Sequence, residues 1–160
     1  TKKIKKKYPS CNIKIINIGV GNSNENKLFY DLSDTNSSTF NTINEESSYF
    51  KRKKKILSLL IKKDFFVKKK LIKQTRLYDF INENSLSKLD ILKIDTQGYE
   101  PEVLEGFGRR LSDIDLIITE LMFYDYYERS LSFTDIEKYL IQKKFLPFFF
   151  SLFGRLRFFE

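Results

Sequence analysis

The sequence predicts an α/β fold with a mostly parallel sheet, and three observations support this prediction. The chain has 160 residues, of which 41% are hydrophobic, so it can build one domain with its own core. Strand-like and helix-like segments alternate from residue 75 onward, as they do where helices connect parallel strands. Asp95 and Glu120 each close a strand-like run, and the carboxyl ends of parallel strands are where such folds bind ligands.

The first half of the chain gives weaker signals. Residues 13–20 (IKIINIGV) are rich in β-branched side chains and predict a strand that ends at the Gly21-Asn22 turn. Residues 27–32 (KLFYDL) predict a second strand, and the serine- and asparagine-rich residues 33–50 predict a loop. Residues 51–73 alternate lysine clusters with apolar pairs, which fits either a basic amphipathic helix or a connection that contains a strand.

From residue 75 the signals become sharper. Residues 75–84 (TRLYDFINEN) have apolar side chains at helical spacing, with Thr75 as the expected N-cap. Residues 89–95 (LDILKID) predict a buried strand. The helix predicted at 101–106 begins with a proline, which suits a first turn, and Gly106 is its expected stop.

The last third of the chain predicts three further elements. Residues 115–122 (DLIITELM) predict another buried strand, and residues 133–145 (FTDIEKYLIQKKF) predict an amphipathic helix. The two runs KFLPFFFSLF and GRLRFF predict a final antiparallel pair that turns near Gly154. None of these apolar runs is long enough to cross a bilayer, so the sequence predicts no membrane span.

The composition excludes several kinds of site. Histidine is absent, which rules out Ser-His-Asp and Cys-His catalysis and zinc sites that use histidine. Acid–base chemistry must therefore use Asp, Glu, Lys, Tyr or water, and we assign no metal ligands. Cys11 is the single cysteine; it cannot form an internal disulfide, and this fits a reducing, cytoplasmic location.

The net charge of +8 is unevenly distributed. Residues 1–73 contain 18 Lys/Arg against 6 Asp/Glu, whereas residues 74–160 contain 11 against 15. Most of these lysines are interpreted as solvated side chains of a lysine-rich chain. The alternative is a basic module that binds nucleic acid or an acidic surface through residues 1–7 and 51–73. No nucleic-acid-binding motif accompanies the lysines, so no dedicated nucleic-acid partner is expected.

The run LDILKIDTQGYEPEVLEGF, followed by DIDLIITEL, resembles the signature of the FkbM-type methyltransferases. In that family a strand ending in Lys-Ile-Asp is followed by a variable residue, Glu or Gln, Gly, any residue and Glu; Leu-x-Gly then closes a helix, and the next strand ends in Glu. TRLYDFI, IINIGVGN and NSSTF resemble the family's preceding helix, strand and serine-rich loop. The signature positions here are Lys93, Ile94, Asp95, Gln97, Gly98, Glu100, Leu104, Gly106 and Glu120.

The resemblance implies a doubly wound, seven-stranded, Rossmann-like fold and S-adenosylmethionine as the methyl donor. It also implies a small-molecule acceptor, such as the hydroxyl of a sugar or glycan. The family's glycine-bearing first strand and the acidic strand after it have no match before Ile13. We therefore expect residues 13–160, behind a loose basic entry at 1–12, to be the C-terminal part of one methyltransferase domain, inactive alone.

The resemblance also implies site residues, each with an ordinary structural alternative. Asp95 would bind the donor or take the acceptor's proton, or it could simply order the turn that follows it. Glu100 would contact a ligand, or only favour the helix N-terminus. Glu120 would contact the acceptor, or sit in a salt bridge. The implied catalytic residues are Asp95, Glu120 and Glu100, and the implied cofactor-binding residues are Asp95, Gly98, Ile18 and Gly19.

Overall fold

The structure, a computed structural model, combines helices with two small sheets. It describes residues 6–7, 9–32, 38–61, 67–119 and 133–146. The elements in chain order are β1 (Gly19–Gly21), β2 (Glu25–Leu32), α1 (Ser48–Ile61), β3 (Val67–Arg76), α2 (Leu77–Glu83), β4 (Leu89–Ile94), α3 (Glu100–Phe107), a 3-10 helix (Gly108–Asp113), β5 (Ile114–Thr119) and α4 (Phe133–Gln142). The predicted α/β class is confirmed.

The first sheet has three strands in the order β1-β3-β2. Strand β3 runs parallel to β1 and antiparallel to β2. Only residues 22–24 separate β1 from β2, and a parallel connection needs about a dozen residues, so β2 must run back in the opposite direction. The sequence left open whether residues 51–73 form a helix or a connection that contains a strand. They contain both, because α1 is followed by β3.

The second sheet pairs β4 with β5 in parallel. Helix α3 and the 3-10 helix connect these strands, which gives the strand–helix–strand unit that the sequence predicted. The expectation of one mostly parallel sheet is not met in the described ranges, where two separate sheets are seen and the first is mixed. The short link between β1 and β2 accounts for the antiparallel pairing.

Helix α3 lies at the centre of the core. Its buried Val103 and Leu104 lie four and three residues before the buried Phe107, so the three form one apolar stripe. They cluster with Ile94 at the end of β4 and Ile114 at the start of β5. The other buried members of this cluster are Ile81, Tyr99, Leu111 and Ile136.

Three predicted boundaries differ from the structure. Residues 12–18 are not in a strand, which begins only at Gly19. Thr75 is not the N-cap of α2, because it lies in β3 opposite Val20, and Arg76 takes the cap position. Gly106 does not stop α3, which continues to Phe107 and ends at Gly108 with φ of 56°.

Two predictions fall on residues outside the described ranges. Glu120 and the end of the strand predicted at 115–122 are among them, as is most of the antiparallel pair predicted to turn near Gly154. Among the residues that are described, no helix has the length and apolar character needed to span a membrane.

Candidate active site

The carboxylate of Asp95 lies directly after β4, in the turn that leads to α3. It accepts hydrogen bonds from Lys93 Nζ at 3.1 Å and from Gln97 Nε2 at 2.9 Å. The Asp95 side chain is 47% exposed. The strand therefore delivers a carboxylate that is oriented by two neighbours and still accessible to a small molecule.

The turn after Asp95 has an unusual backbone. Gln97 and Gly98 have φ of 55° and 86°, a region that glycine adopts freely and other residues adopt at a cost. Such strained residues persist only where the surrounding structure fixes them, so the partners of this turn decide its geometry.

Glu100 ties the turn to the start of α3. It is 3% exposed, and its Oε1 accepts hydrogen bonds from the Thr96 backbone N–H at 2.8 Å and from Thr96 Oγ1 at 3.1 Å. This contact gives Glu100 a positioning role close to Asp95. The catalytic role implied for Glu100 remains a prediction.

Two buried side chains hold the same turn from a distant part of the chain. Thr39 Oγ1 donates to the carbonyl of Thr96 at 3.0 Å, and Asn41 Nδ2 donates to the carbonyl of Gly98 at 2.8 Å. Thr39 and Asn41 are only 2% and 5% exposed. The sequence predicts only a loop here, and the one indication of a role is the NSSTF run, which ends at Phe40 and contains Thr39.

A second buried network reaches the turn through Tyr99. Lys27 Nζ donates to the Tyr99 hydroxyl at 2.7 Å, and that hydroxyl donates to Gln74 Oε1 at 2.8 Å. Gln74 Nε2 in turn donates to the Ser23 hydroxyl at 2.9 Å. Burial raises the pKa of Tyr99, with Lys27 opposing the shift. The network joins β2 and β3 to the turn, and no feature of the sequence predicted it.

Glu102, on α3, carries a carboxyl in an unusual environment. Its Oε2 is buried without a hydrogen-bond partner among the described residues. Burial raises the pKa of Glu102, and the nearby charge of Lys27 acts in the opposite direction. This carboxyl therefore holds its proton more tightly than an exposed glutamate does.

Gly19 is the first residue of β1, in the other sheet, and Ile18 directly precedes that strand. A Cβ on Gly19 would lie 2.6 Å from a ring atom of Phe40 and 3.1 Å from the carbonyl oxygen of Lys73. The missing side chain at Gly19 thus makes room for Phe40, whose ring centroid is 5.6 Å from that of Tyr99. The donor-binding role implied for Ile18 and Gly19 remains a prediction.

The residues implied by the resemblance therefore fall into three groups. Asp95 and Gly98 lie in one turn with Glu100 at the start of the helix that follows it, Gly19 begins β1 of the other sheet with Ile18 directly before it, and Glu120 is not described. In the described part of the chain, no three His, Cys, Asp or Glu side chains are arranged to hold a metal ion.

The positioning role of Glu100 gives a first testable expectation. Glu100→Ala should lower the free energy of unfolding by about 2 kcal/mol, because the partly buried Thr96 N–H and hydroxyl both lose their acceptor. Glu100→Gln should keep most of the stability, since the amide oxygen can accept the same hydrogen bonds. Urea unfolding of both variants measures the difference. Equal destabilisation by Gln and Ala would mean that the negative charge, not the hydrogen bond, is required.

Comparison with known proteins places this arrangement in a family. The chain matches no curated protein and no solved structure. The model of the methyltransferase FkbM domain matches residues 2–147, which include the Asp95 turn and both polar networks that hold it. The chain therefore belongs to the FkbM methyltransferase family.

Proposed function

We propose that this protein is an S-adenosylmethionine-dependent O-methyltransferase that acts on a hydroxyl group of a sugar or another small metabolite. The observation that carries the proposal is the half-exposed Asp95 carboxylate at the carboxyl end of β4. Family membership supplies the methyltransferase activity. A single doubly wound sheet, a cytoplasmic location and the acceptor role of Glu120 belong to the same proposal.

The described residues are suited to bind part of the methyl donor S-adenosylmethionine. The Asp95 carboxylate can accept hydrogen bonds from an ammonium group or from hydroxyls. The glycines of β1 do not form a donor-binding turn, because β1 leads into another strand and not into a helix. We therefore assign Asp95 and the adjoining Gly98 turn to the methionine end of the donor, and we derive no step from the β1 glycines.

The donor supplies an electrophilic methyl group on a good leaving group, so the protein's task is mainly to position the acceptor and exclude water. The alternative role of Asp95 is that of a base, whose carboxylate would accept the proton of the acceptor hydroxyl. Lys93 and Gln97 hold the two oxygens of Asp95 in place. Thr39, Asn41 and Glu100 fix the backbone of the turn, so the carboxylate needs no rearrangement before reaction.

A labelling experiment tests this proposal. The native protein is incubated with methyl-labelled S-adenosylmethionine and a panel of free mono- and disaccharides. We expect label to appear in a methyl ether, which resists mild alkali, whereas a methyl ester is hydrolysed. Alkali-labile label would point to a carboxyl acceptor. Calorimetry that detects no donor binding, together with no transfer, would contradict the proposal.

The non-enzymatic alternative is a basic module that binds nucleic acid or an acidic surface. Membership of a methyltransferase family favours the enzyme over this alternative. An enzyme can nevertheless carry a separate basic surface, and the first sheet has one.

A further inference from the structure

One face of the first sheet combines exposed leucines with lysines that form no ion pair among the described residues. Alternate residues of a strand share a face, and directly opposed residues are neighbours on it. The register of β2 and β3 places Lys73 opposite Asn26, Leu71 opposite Leu28 and Lys69 opposite Tyr30. We call the surface formed by these six residues the Leu71 face.

Leucines form the centre of the Leu71 face and lysines flank them. Leu71 is 73% exposed and Leu28 is 38% exposed, although both lie in the interior of regular strands. Lys69 and Lys73 are exposed on either side of Leu71. An apolar pair between two cations is therefore open to solvent on a surface that contains no acidic side chain.

The lysines of the opposite face behave differently. Lys70 forms an ion pair with Asp31, and Lys27 donates to the buried Tyr99 hydroxyl. On the Leu71 face, Lys69 lies over the ring of Tyr30, with Nζ 5.4 Å from the ring centroid, and Lys73 has no ion pair within the described ranges. A general excess of lysine explains the number of cations, but not why Lys70 is paired with a carboxylate while Lys69 and Lys73 have no such pair among the described residues.

We propose that the Leu71 face docks onto the surface of an anionic lipid bilayer. Lys69 and Lys73 would contact the headgroup phosphates and carboxylates, and Leu28 and Leu71 would enter the boundary between headgroups and acyl chains. Helix α1 adds long-range attraction, because it contains five Lys/Arg and no acidic residue. This is peripheral binding and requires no membrane-spanning helix.

The composition of the Leu71 face favours a bilayer over other anionic partners. Single-stranded nucleic acid is usually bound by exposed aromatic rings on which bases stack, whereas the aromatic residue of this face, Tyr30, is only 6% exposed. Two leucines also form too small an apolar centre for a stable protein interface, which buries about 800 Å² on each partner. A fluid bilayer demands no matching shape.

Vesicle sedimentation of the native protein tests the proposal. The vesicles contain phosphatidylcholine alone or with about 30% phosphatidylserine, the anionic lipid that attracts basic segments. We expect binding only to the anionic vesicles, and weaker binding as salt rises from about 0.05 to 0.3 M. Lys69→Gln with Lys73→Gln should weaken binding roughly twenty-five-fold, or about fivefold for each lysine.

Two further variants make the test specific to this surface. Leu71→Thr keeps a good strand former and the same charge, and should weaken binding about fivefold by removing the inserted aliphatic group. The matched control is Lys88→Gln with Lys138→Gln, which removes two exposed lysines outside the first sheet and should change binding by less than about threefold.

The proposal fails if vesicles of both compositions bind equally, or if neither binds. It also fails if single-stranded RNA binds in a Lys69- and Lys73-dependent way while anionic vesicles do not. Equal losses of vesicle binding in the Lys69/Lys73 variant and in the Lys88/Lys138 control would show that net charge alone attracts the protein. That result would also contradict the proposal that the Leu71 face is the binding surface. None of these outcomes depends on methyl transfer.

Discussion

Gly106→Ala is expected to destabilise the fold by about 2–3 kcal/mol, as overpacking does when the neighbouring atoms cannot move. A Cβ at this position would lie 1.9 Å from the carbonyl oxygen of Gly21 and 2.7 Å from its carbonyl carbon. Both are backbone atoms of β1, so relief requires a shift of α3 away from the first sheet. The close approach of helix and strand is what makes glycine necessary here.

The direction of this stability change is informative, because intrinsic helix propensity predicts that Gly106→Ala stabilises the protein. Alanine is favoured over glycine in a helix interior by about 1 kcal/mol, so a helix with open space beside Gly106 would become more stable. Thermal unfolding followed by circular dichroism measures the change. Lys138→Ala, an exposed alanine substitution within α4, is the matched control and should stay near the wild type. An unchanged or raised midpoint for Gly106→Ala would show that α3 and β1 are not in contact.

Asp95→Asn should reduce turnover about 10²- to 10⁴-fold, the usual contribution of a positioned acid or base. Asparagine preserves size, but its single side-chain oxygen can replace only one of the two oxygens that accept from Lys93 and Gln97. The substitution therefore removes the charge and one of these two hydrogen bonds. The Asp95 side chain is 47% exposed and its lysine partner is 65% exposed, so stability should change by less than about 1 kcal/mol. Turnover of labelled donor and urea unfolding are measured on the same preparations.

Asp90→Asn is the control for charge and location. Asp90 lies in the same strand, its side chain is 78% exposed, and it pairs with Lys88 at the surface. This variant should retain turnover. A fall in kcat at constant KM for Asp95→Asn would indicate proton transfer, whereas a rise in KM for the donor would indicate a binding role. Full activity in Asp95→Asn would remove this carboxylate from the mechanism.

The local sequence pattern was sufficient to predict the strand β4 and the helix α3, on which the site is built. The strand ending before Asp95 and the helix after it were predicted to within one or two residues, because apolar runs and a first-turn proline are local signals. The same signals failed at Thr75 and Gly106, where pairing with β1 and contact with Gly21 decide the local structure.

The polar contacts of the site could not be predicted in this way. Thr39 and Asn41 each donate a hydrogen bond to a residue 57 positions further along the chain. Gln74 accepts a hydrogen bond from the hydroxyl of Tyr99, 25 positions further along. Nothing near Thr39, Asn41 or Gln74 in the sequence marks them as buried. Their burial follows from the packing of the first sheet against the Asp95 turn.

The sequence by itself determined the α/β class, the position of Asp95 at the end of a strand and the family resemblance, because strand and helix periodicity and a contiguous motif are properties of neighbouring residues. Tertiary structure alone decided that the strands of the described ranges form two sheets, that Glu100 closes the turn, and that Thr39 and Asn41 hold it. Tertiary structure also decided that the leucines of the Leu71 face are exposed to solvent. The physical reason is that hydrogen-bond partners and burial depend on which distant segments meet, and periodicity along the chain carries no information about that.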